Sequence, residues 1–442
     1  MKSSKVMAAL VTMGLAAAVA APAMALENQF SGAFTSFYDL SNFSAGSGTP
    51  INDAKTENYF VQRVRLGYNA KASETVKLVT LFQIDYKFWG KDAYQSSFNG
   101  GSAIGSRGLN IQTKDLYLDL NLPSQVNAKI GMQGVNDAFK GVIVSSDAAG
   151  ITLSHEYAKA STTAGFYRFD DSFNNSAADN NNGNTIAGNT PIGKNTRDMF
   201  LLDGKYNFTK ETKVGAAYYY IKDNRPINSS SVLAPQDIKV STLGINAEGV
   251  IGPVSLNGFA LTQFGDYDET HKAKGYTFNF GAKMPLAGGT ARTEFIYASG
   301  GANGKSLYIP RSVAGTEGGG FYDNEMVILS RDKNATNFDT AIVYDINNGN
   351  QGVIMGSIGY DHAYTEKLSA SVNAGFAAVA KSTGSNKSDY LGTELNVEAN
   401  YKLTPEVTLG ARAGYVFLGD YFKNSPALDN PYDVKLIAKF AF

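Results

Sequence analysis

Tyr432-Asp433-Val434-Lys435-Leu436-Ile437-Ala438-Lys439-Phe440-Ala441-Phe442 closes the sequence. Tyr432, Val434, Leu436, Ala438, Phe440 and Phe442 share one face of an extended chain, and Asp433, Lys435 and Lys439 share the other. Side chains of a strand point alternately to its two faces, so this pattern predicts a strand with one apolar and one charged side. A soluble domain seldom finishes on a full apolar strand with an aromatic last residue. A closed membrane sheet does, because its last strand pairs with its first and so removes both edges.

The same alternation recurs upstream. Phe60, Val64, Leu66 and Tyr68 oppose Arg63, Arg65 and Asn69, and Val76, Leu78, Thr80, Phe82, Ile84, Tyr86 and Phe88 oppose Lys77, Gln83, Asp85 and Lys87. Leu116, Leu118, Leu120 and Leu122 oppose Asp115, Tyr117, Asp119 and Asn121, and Thr393, Leu395, Val397, Ala399 and Tyr401 oppose Glu394, Asn396, Glu398 and Asn400. A soluble half-buried sheet alternates too, but here charge occupies the polar face on strand after strand.

The connections come in two unequal kinds. Tight turns stand at 72–76, 122–126, 209–214, 251–254, 365–368 and 404–407, with Tyr68, Phe208, Tyr364 and Tyr401 just before four of them. Long stretches rich in Gly, Asn, Ser and Asp occupy 41–58, 90–107, 171–195, 224–235, 300–334 and 420–430. Short turns at one end, long loops at the other and aromatic girdles between are the pattern of an outer-membrane barrel. Tyr86, Phe88, Tyr220, Tyr297, Tyr415 and Phe417 are expected in the girdle on the loop side. About nineteen strand candidates can be counted, and a bacterial single-chain barrel needs an even number. The expectation is an all-β, antiparallel up-and-down transmembrane barrel of about eighteen strands, with sixteen and twenty as alternatives. The ambiguous stretches are 325–330 and 151–169.

Composition agrees. There are 25 Tyr, 26 Phe and 46 Gly against one Trp, and no cysteine, which removes disulfides, thiolate metal sites and covalent haem attachment. The formal charge of −1 offers no basic excess for nucleic acid. Lys2 and Lys5 precede an apolar run over 6–21, and Ala23-Met24-Ala25 has the form of a cleavage site. Residues 1–25 are therefore expected to be a secretory signal peptide and 26–442 a single barrel domain.

Chemistry-bearing motifs are few. Residues 299–306 resemble a phosphate loop, but Ser299 stands where its first glycine belongs and no helical pattern follows. Residues 179–184 offer oxygen ligands without the closing glutamate of a calcium loop. His155, His271 and His362 show no metal or nucleophile spacing. No catalytic residue, metal or cofactor is expected. The segments 134–150 and 321–333 mix charge with apolar residues and are candidates to fold into the lumen. Asp137, Phe139, Lys140 and Asp147 are the candidate constriction residues. The candidate pore-lining charges are Arg63, Arg65, Lys77, Asp85, Lys87, Asp115, Asp119, Lys129, Arg292, Glu294, Glu394, Glu398 and Arg412.

With the signal end, alternating strands, unequal connections and terminal Phe442, the chain resembles the Gram-negative outer-membrane porins over nearly its whole length. More narrowly, residues 115–123, 129–134 and 147–151 resemble the porins of Geobacter-type metal-reducing bacteria, the OmpJ group. The resemblance implies a water-filled barrel for passive diffusion of ions and small hydrophilic solutes. The alternatives are a non-conducting barrel that anchors exported redox proteins, and a receptor or adhesin using its loops. The implied partners are outer-membrane lipid and lipopolysaccharide, the barrel-assembly machinery through the strand ending in Phe442, and copies of the chain in a homotrimer.

Overall fold

A computed structural model describes residues 26–43, 50, 52–88, 111–171, 193–229, 232–235, 237–310, 319–332, 341–382, 388–423 and 428–442. The expected signal peptide and the oxygen-rich stretch 179–184 lie outside the described residues. Twenty strands follow in order: β1 (Glu27–Ser41), β2 (Glu57–Ser73), β3 (Val76–Phe88), β4 (Ile111–Leu122), β5 (Val126–Asn136), β6 (Ser145–Glu156), β7 (Ala160–Asp171), β8 (Thr196–Asn207), β9 (Lys213–Asp223), β10 (Pro226–Ser229), β11 (Val232–Pro235), β12 (Ile238–Ile251), β13 (Val254–Asp266), β14 (Tyr276–Leu286), β15 (Gly289–Ala298), β16 (Val353–Ala363), β17 (Leu368–Ala378), β18 (Tyr390–Lys402), β19 (Val407–Leu418) and β20 (Tyr432–Ala441). β10 and β11 form a small hairpin of their own, and the other strands make one 18-stranded sheet.

Each strand of that sheet pairs antiparallel with its neighbour in sequence, β9 passing to β12 across the small hairpin. The sheet closes where β20 pairs with β1, in register from Ala33↔Ala441 to Ser41↔Asp433. Reciprocal backbone hydrogen bonds of 3.0 Å between Gly32 and Phe442 extend the seam to the last residue. The ambiguous stretch 151–169 holds two strands, β6 and β7, and 325–330 holds none. The six expected turns join β2–β3, β4–β5, β8–β9, β12–β13, β16–β17 and β18–β19. Two more, after β6 and β14, passed unread. In the latter, Ala287 and Gly288 have φ of 48° and 79°, the left-handed pair a two-residue type I′ hairpin requires.

The outer face is apolar. Leu66, Phe200, Leu243, Ile245, Phe280, Ile358, Val372, Leu395 and Leu436 are exposed, as a wall bathed in acyl chains must be. At the turn end Phe30 packs on Tyr68 with ring centroids 5.1 Å apart, and Tyr206 on Phe208 at 4.8 Å. At the loop end Tyr276 stacks on Tyr297 at 5.6 Å, and Tyr415 meets Phe417 at 4.9 Å. The core lies inside the barrel. There, loop residues such as Ile143, Leu307, Met326 and Leu329 pack against inward residues such as Met199, Tyr219, Ile296 and Val416.

Candidate permeation pathway

Among the described residues, two long loop segments fold inward and pack on the barrel wall. The first runs from β5 to β6. The Asp137 carboxylate accepts the backbone N–H groups of Phe139 (2.7 Å), Gly141 (2.9 Å), Ile143 (2.5 Å) and Val144 (2.7 Å). Burial pushes its pKa above the ordinary carboxylate value, and the four amides oppose that rise. Asp137 thus organises the loop rather than facing water. Phe139 is fully buried, its ring 5.8 Å from Tyr219 and 5.6 Å from Phe259. It is a wedge that holds the loop on the wall, which corrects its reading as a constriction side chain. Gly244 makes room for it, since a Cβ there would collide with the ring.

Asp147 is also corrected. It pairs with Gly134 in β6, one residue before inward-facing Ala148, so its side chain points outward, where Lys114 meets it in an ion pair. The error follows from a strand boundary: β6 begins at Ser145, inside the stretch read as a loop.

The second loop connects β15 to β16. Glu394, fully buried on β18, accepts the backbone N–H groups of Val327 (2.6 Å), Ile328 (3.0 Å) and Leu329 (2.7 Å). Arg412 on β19 binds Asp332 at 2.6 Å, both side chains buried. Arg292 on β15 reaches Glu325 at 3.1 Å and Asp361 at 2.7 Å. Glu394, Arg292 and Arg412 do face inward, but they sit beneath the loop as its anchors and do not line an open lumen. Charge alternation alone cannot separate the two roles.

The loops also touch each other. Gly320 N–H donates to the Gly141 carbonyl at 3.1 Å. Glu294 on β15 collects Lys140 Nζ of the first loop at 2.5 Å and the Tyr322 hydroxyl of the second at 2.5 Å. Burial, then the neighbouring Glu294 carboxylate, hold the Tyr322 pKa well above that of a free phenol, so it remains the donor. Two inward glycines fit the second loop to the wall. A Cβ on Gly375 would lie 2.5 Å from Met326 Sδ, and one on Gly414 would lie 2.8 Å from Val327 Cγ2. Replacing Gly375 by valine is therefore expected to displace the loop and alter channel conductance while the barrel still forms. Unchanged conductance together with an unchanged unfolding midpoint would show that the contact has no such role.

On the remaining arc, β1–β5, Arg63, Arg65, Lys77 and Asp119 keep partial exposure, while Gln83 and Gln133 are buried. Arg65 Nε donates to Gln83 at 2.7 Å, and Gln83 to Gln112 at 3.0 Å. Lys77 pairs with Asp119 at 3.2 Å, Asp119 accepts Asn127 at 2.6 Å, and Lys129 stands 5.4 Å over the Tyr117 ring. Asp115 accepts the Gly134 N–H at 3.1 Å. Arg63 lies beside Arg65 on the same inward face, opposite Asp85 in register. The side chains of Asp85 and Lys87 lie outside the described residues. On β18, Glu398 accepts the Asn400 amide at 2.7 Å. At the turn end a polar cavity of about 340 Å³ is bounded by Gln29, Asn69, Lys71, Lys77, Asp119 and Asn121. Among the described residues no group of His, Cys, Asp and Glu could hold a metal ion.

No family model and no curated protein matches the chain. Solved structures do. OccK5 (OpdH) of Pseudomonas aeruginosa is 13% identical, with a TM-score of 0.56 over 94% of this chain and 98% of that one. OccK8 (OprE) of the same organism gives 11% and 0.57 over the same shares. OccAB4 of Acinetobacter baumannii gives 12% and 0.55, again over 94% and 98%. At such identities the likeness is one of fold: the chain has the closed 18-stranded architecture of these outer-membrane barrels.

Proposed function

We propose that the protein is an outer-membrane channel through which ions and small hydrophilic solutes diffuse passively, driven only by their gradients. The observation that carries the proposal is the partition of one closed barrel interior. The described loop segments pack on the side bounded by β6–β9 and β12–β19, while the arc β1–β5 keeps a charged and amide-rich surface. Barrels of 16–18 strands are too wide for wall side chains to fill, so the residual width is set by what folds inward. In this reading residues 1–25 are cleaved, the mature chain starts near Leu26, and β20 with Phe442 addresses the assembly machinery. The narrower likeness to the OmpJ group belongs to the same proposal. So does a homotrimer, since closed symmetric assemblies are the common oligomers.

Single-channel recording of the refolded mature chain in a planar bilayer in KCl tests it. Stable conductance steps are expected, and a folded, heat-modifiable barrel that never conducts would replace the channel with the anchoring role. Reversing Arg63 and Arg65 to glutamate is expected to shift the reversal potential in a salt gradient toward cation preference, without loss of folding. An unchanged potential would remove both residues from the conducting surface.

A further inference from the structure

The outward charges at the loop end of the wall form a row that the channel reading does not use. In cross-strand register Arg168 on β7 faces Asp198 on β8, Asp198 faces Lys222 on β9, Lys222 faces Lys239 on β12, and Lys239 faces Asp266 on β13. All five point away from the lumen. On β9 the residues flanking Lys222, Ile221 and Asp223, are buried inside, whereas Lys222 is exposed. The row stands just beyond the girdle formed by Phe166, Phe200 and Tyr220, whose successive ring centroids are 4.9 and 6.3 Å apart. That is the headgroup level of a bilayer.

The anions in the row are already engaged. Asp198 receives two bonds from Arg168, at 2.8 and 3.1 Å, and a third from the Thr196 hydroxyl at 2.9 Å. Asp266 is paired with Lys272. Lys239 is bonded to Asp237 at 2.5 Å, in a pair whose side chains are 40% and 58% exposed, with the already paired Asp266 carboxylate acting on it from across the strands, and such exposed pairs are weak and readily exchanged. Among the described residues Lys222 has no anionic partner. Like charges directly opposite on neighbouring strands are unfavourable, so two adjacent ammonium groups at this depth call for an external anion. On β14, β18 and β19 exposed tyrosines, Tyr276, Tyr390 and Tyr415, stand near the loop ends of the strands instead.

We infer that Lys222 and Lys239 form a seat for the phosphate of a phosphorylated glycolipid of the outer leaflet, its acyl chains lying along the exposed Phe200, Leu202, Leu243 and Ile245 below. A phosphomonoester supplies the two negative charges and several acceptor oxygens that two ammonium groups can bind. The inference uses the membrane-spanning reading but not conduction, so a silent channel leaves it intact.

The test is native mass spectrometry of the refolded mature chain with three probes: bisphosphorylated lipid A, the same lipid with its phosphates removed, and inorganic phosphate. The wild-type chain is expected to retain bisphosphorylated lipid A. The Lys222→Gln/Lys239→Gln variant is expected to retain about tenfold less, and Lys222→Arg/Lys239→Arg to restore it. Lys213→Gln, at the turn end of β9, serves as the control and should leave retention unchanged. Heat-modifiable migration verifies that each variant is folded. Equal retention by the double glutamine variant would overturn the assignment. So would equal retention of the dephosphorylated lipid, or a lysine-dependent adduct of inorganic phosphate without one of the lipid.

Discussion

Replacing Glu394 by alanine is expected to raise single-channel conductance by about twofold or more while leaving a folded barrel. Among the described residues, Glu394 is the one side chain that accepts the Val327, Ile328 and Leu329 amides. Each buried donor left without an acceptor costs roughly 1–3 kcal/mol, so three together exceed what the loop can bear in place. The strand itself is held by its ladders to β17 and β19, which the substitution does not touch. The loop therefore yields before the wall does, and water follows it. Glu394→Gln retains an acceptor oxygen but adds two donors, so an intermediate effect is expected. Conductance in KCl measures the result directly. Wild-type steps from the alanine variant would show that the loop is held by its apolar contacts alone.

Lys435→Met is expected to have the largest effect on stability. Lys435 is wholly buried at the closing seam, 2.8 Å from Asp39 on β1 and in a second ion pair with Asp433 of its own strand. Asp39 and Lys435 are register partners across the seam, so this interaction bears on closure itself. Removing the cation strands two buried carboxylates, and breaking a buried pair by deleting one partner costs about 3–5 kcal/mol. The urea midpoint of the refolded protein in lipid vesicles should fall accordingly. Neutralising the carboxylates as well, in Asp39→Asn/Asp433→Asn/Lys435→Met, is expected to recover most of the loss, because an uncharged seam has no stranded charge to solvate. A single variant with the wild-type midpoint would mean that water reaches the site.

Much of the architecture was readable from residue order. Period-2 alternation is local, and it marked the apolar face of β20, β18 and β4 correctly because a strand's pleat assigns faces without help from distant residues. The even strand count followed from closure, since antiparallel strands with both termini at one end must come in pairs. The turn after β14 was missed although Gly288-Gly289 was there to signal it. Asp147 was misplaced because one residue of register moves a side chain to the opposite face.

Sequence by itself thus determined a closed membrane sheet, its two faces and which end bears the loops, because these depend on neighbours a few residues away. Tertiary structure alone decided what the inward charges do. Glu394 and Arg412 read the same as Arg65 and Lys77 along their strands. They differ because residues 323–332, about 60–90 positions away in sequence, fold over the first pair, whereas no described loop segment folds over the second. A carboxylate beneath a loop meets three amide protons and becomes an anchor, whereas Arg65 and Lys77 stay partly exposed. Burial, which no local pattern specifies, separates the two.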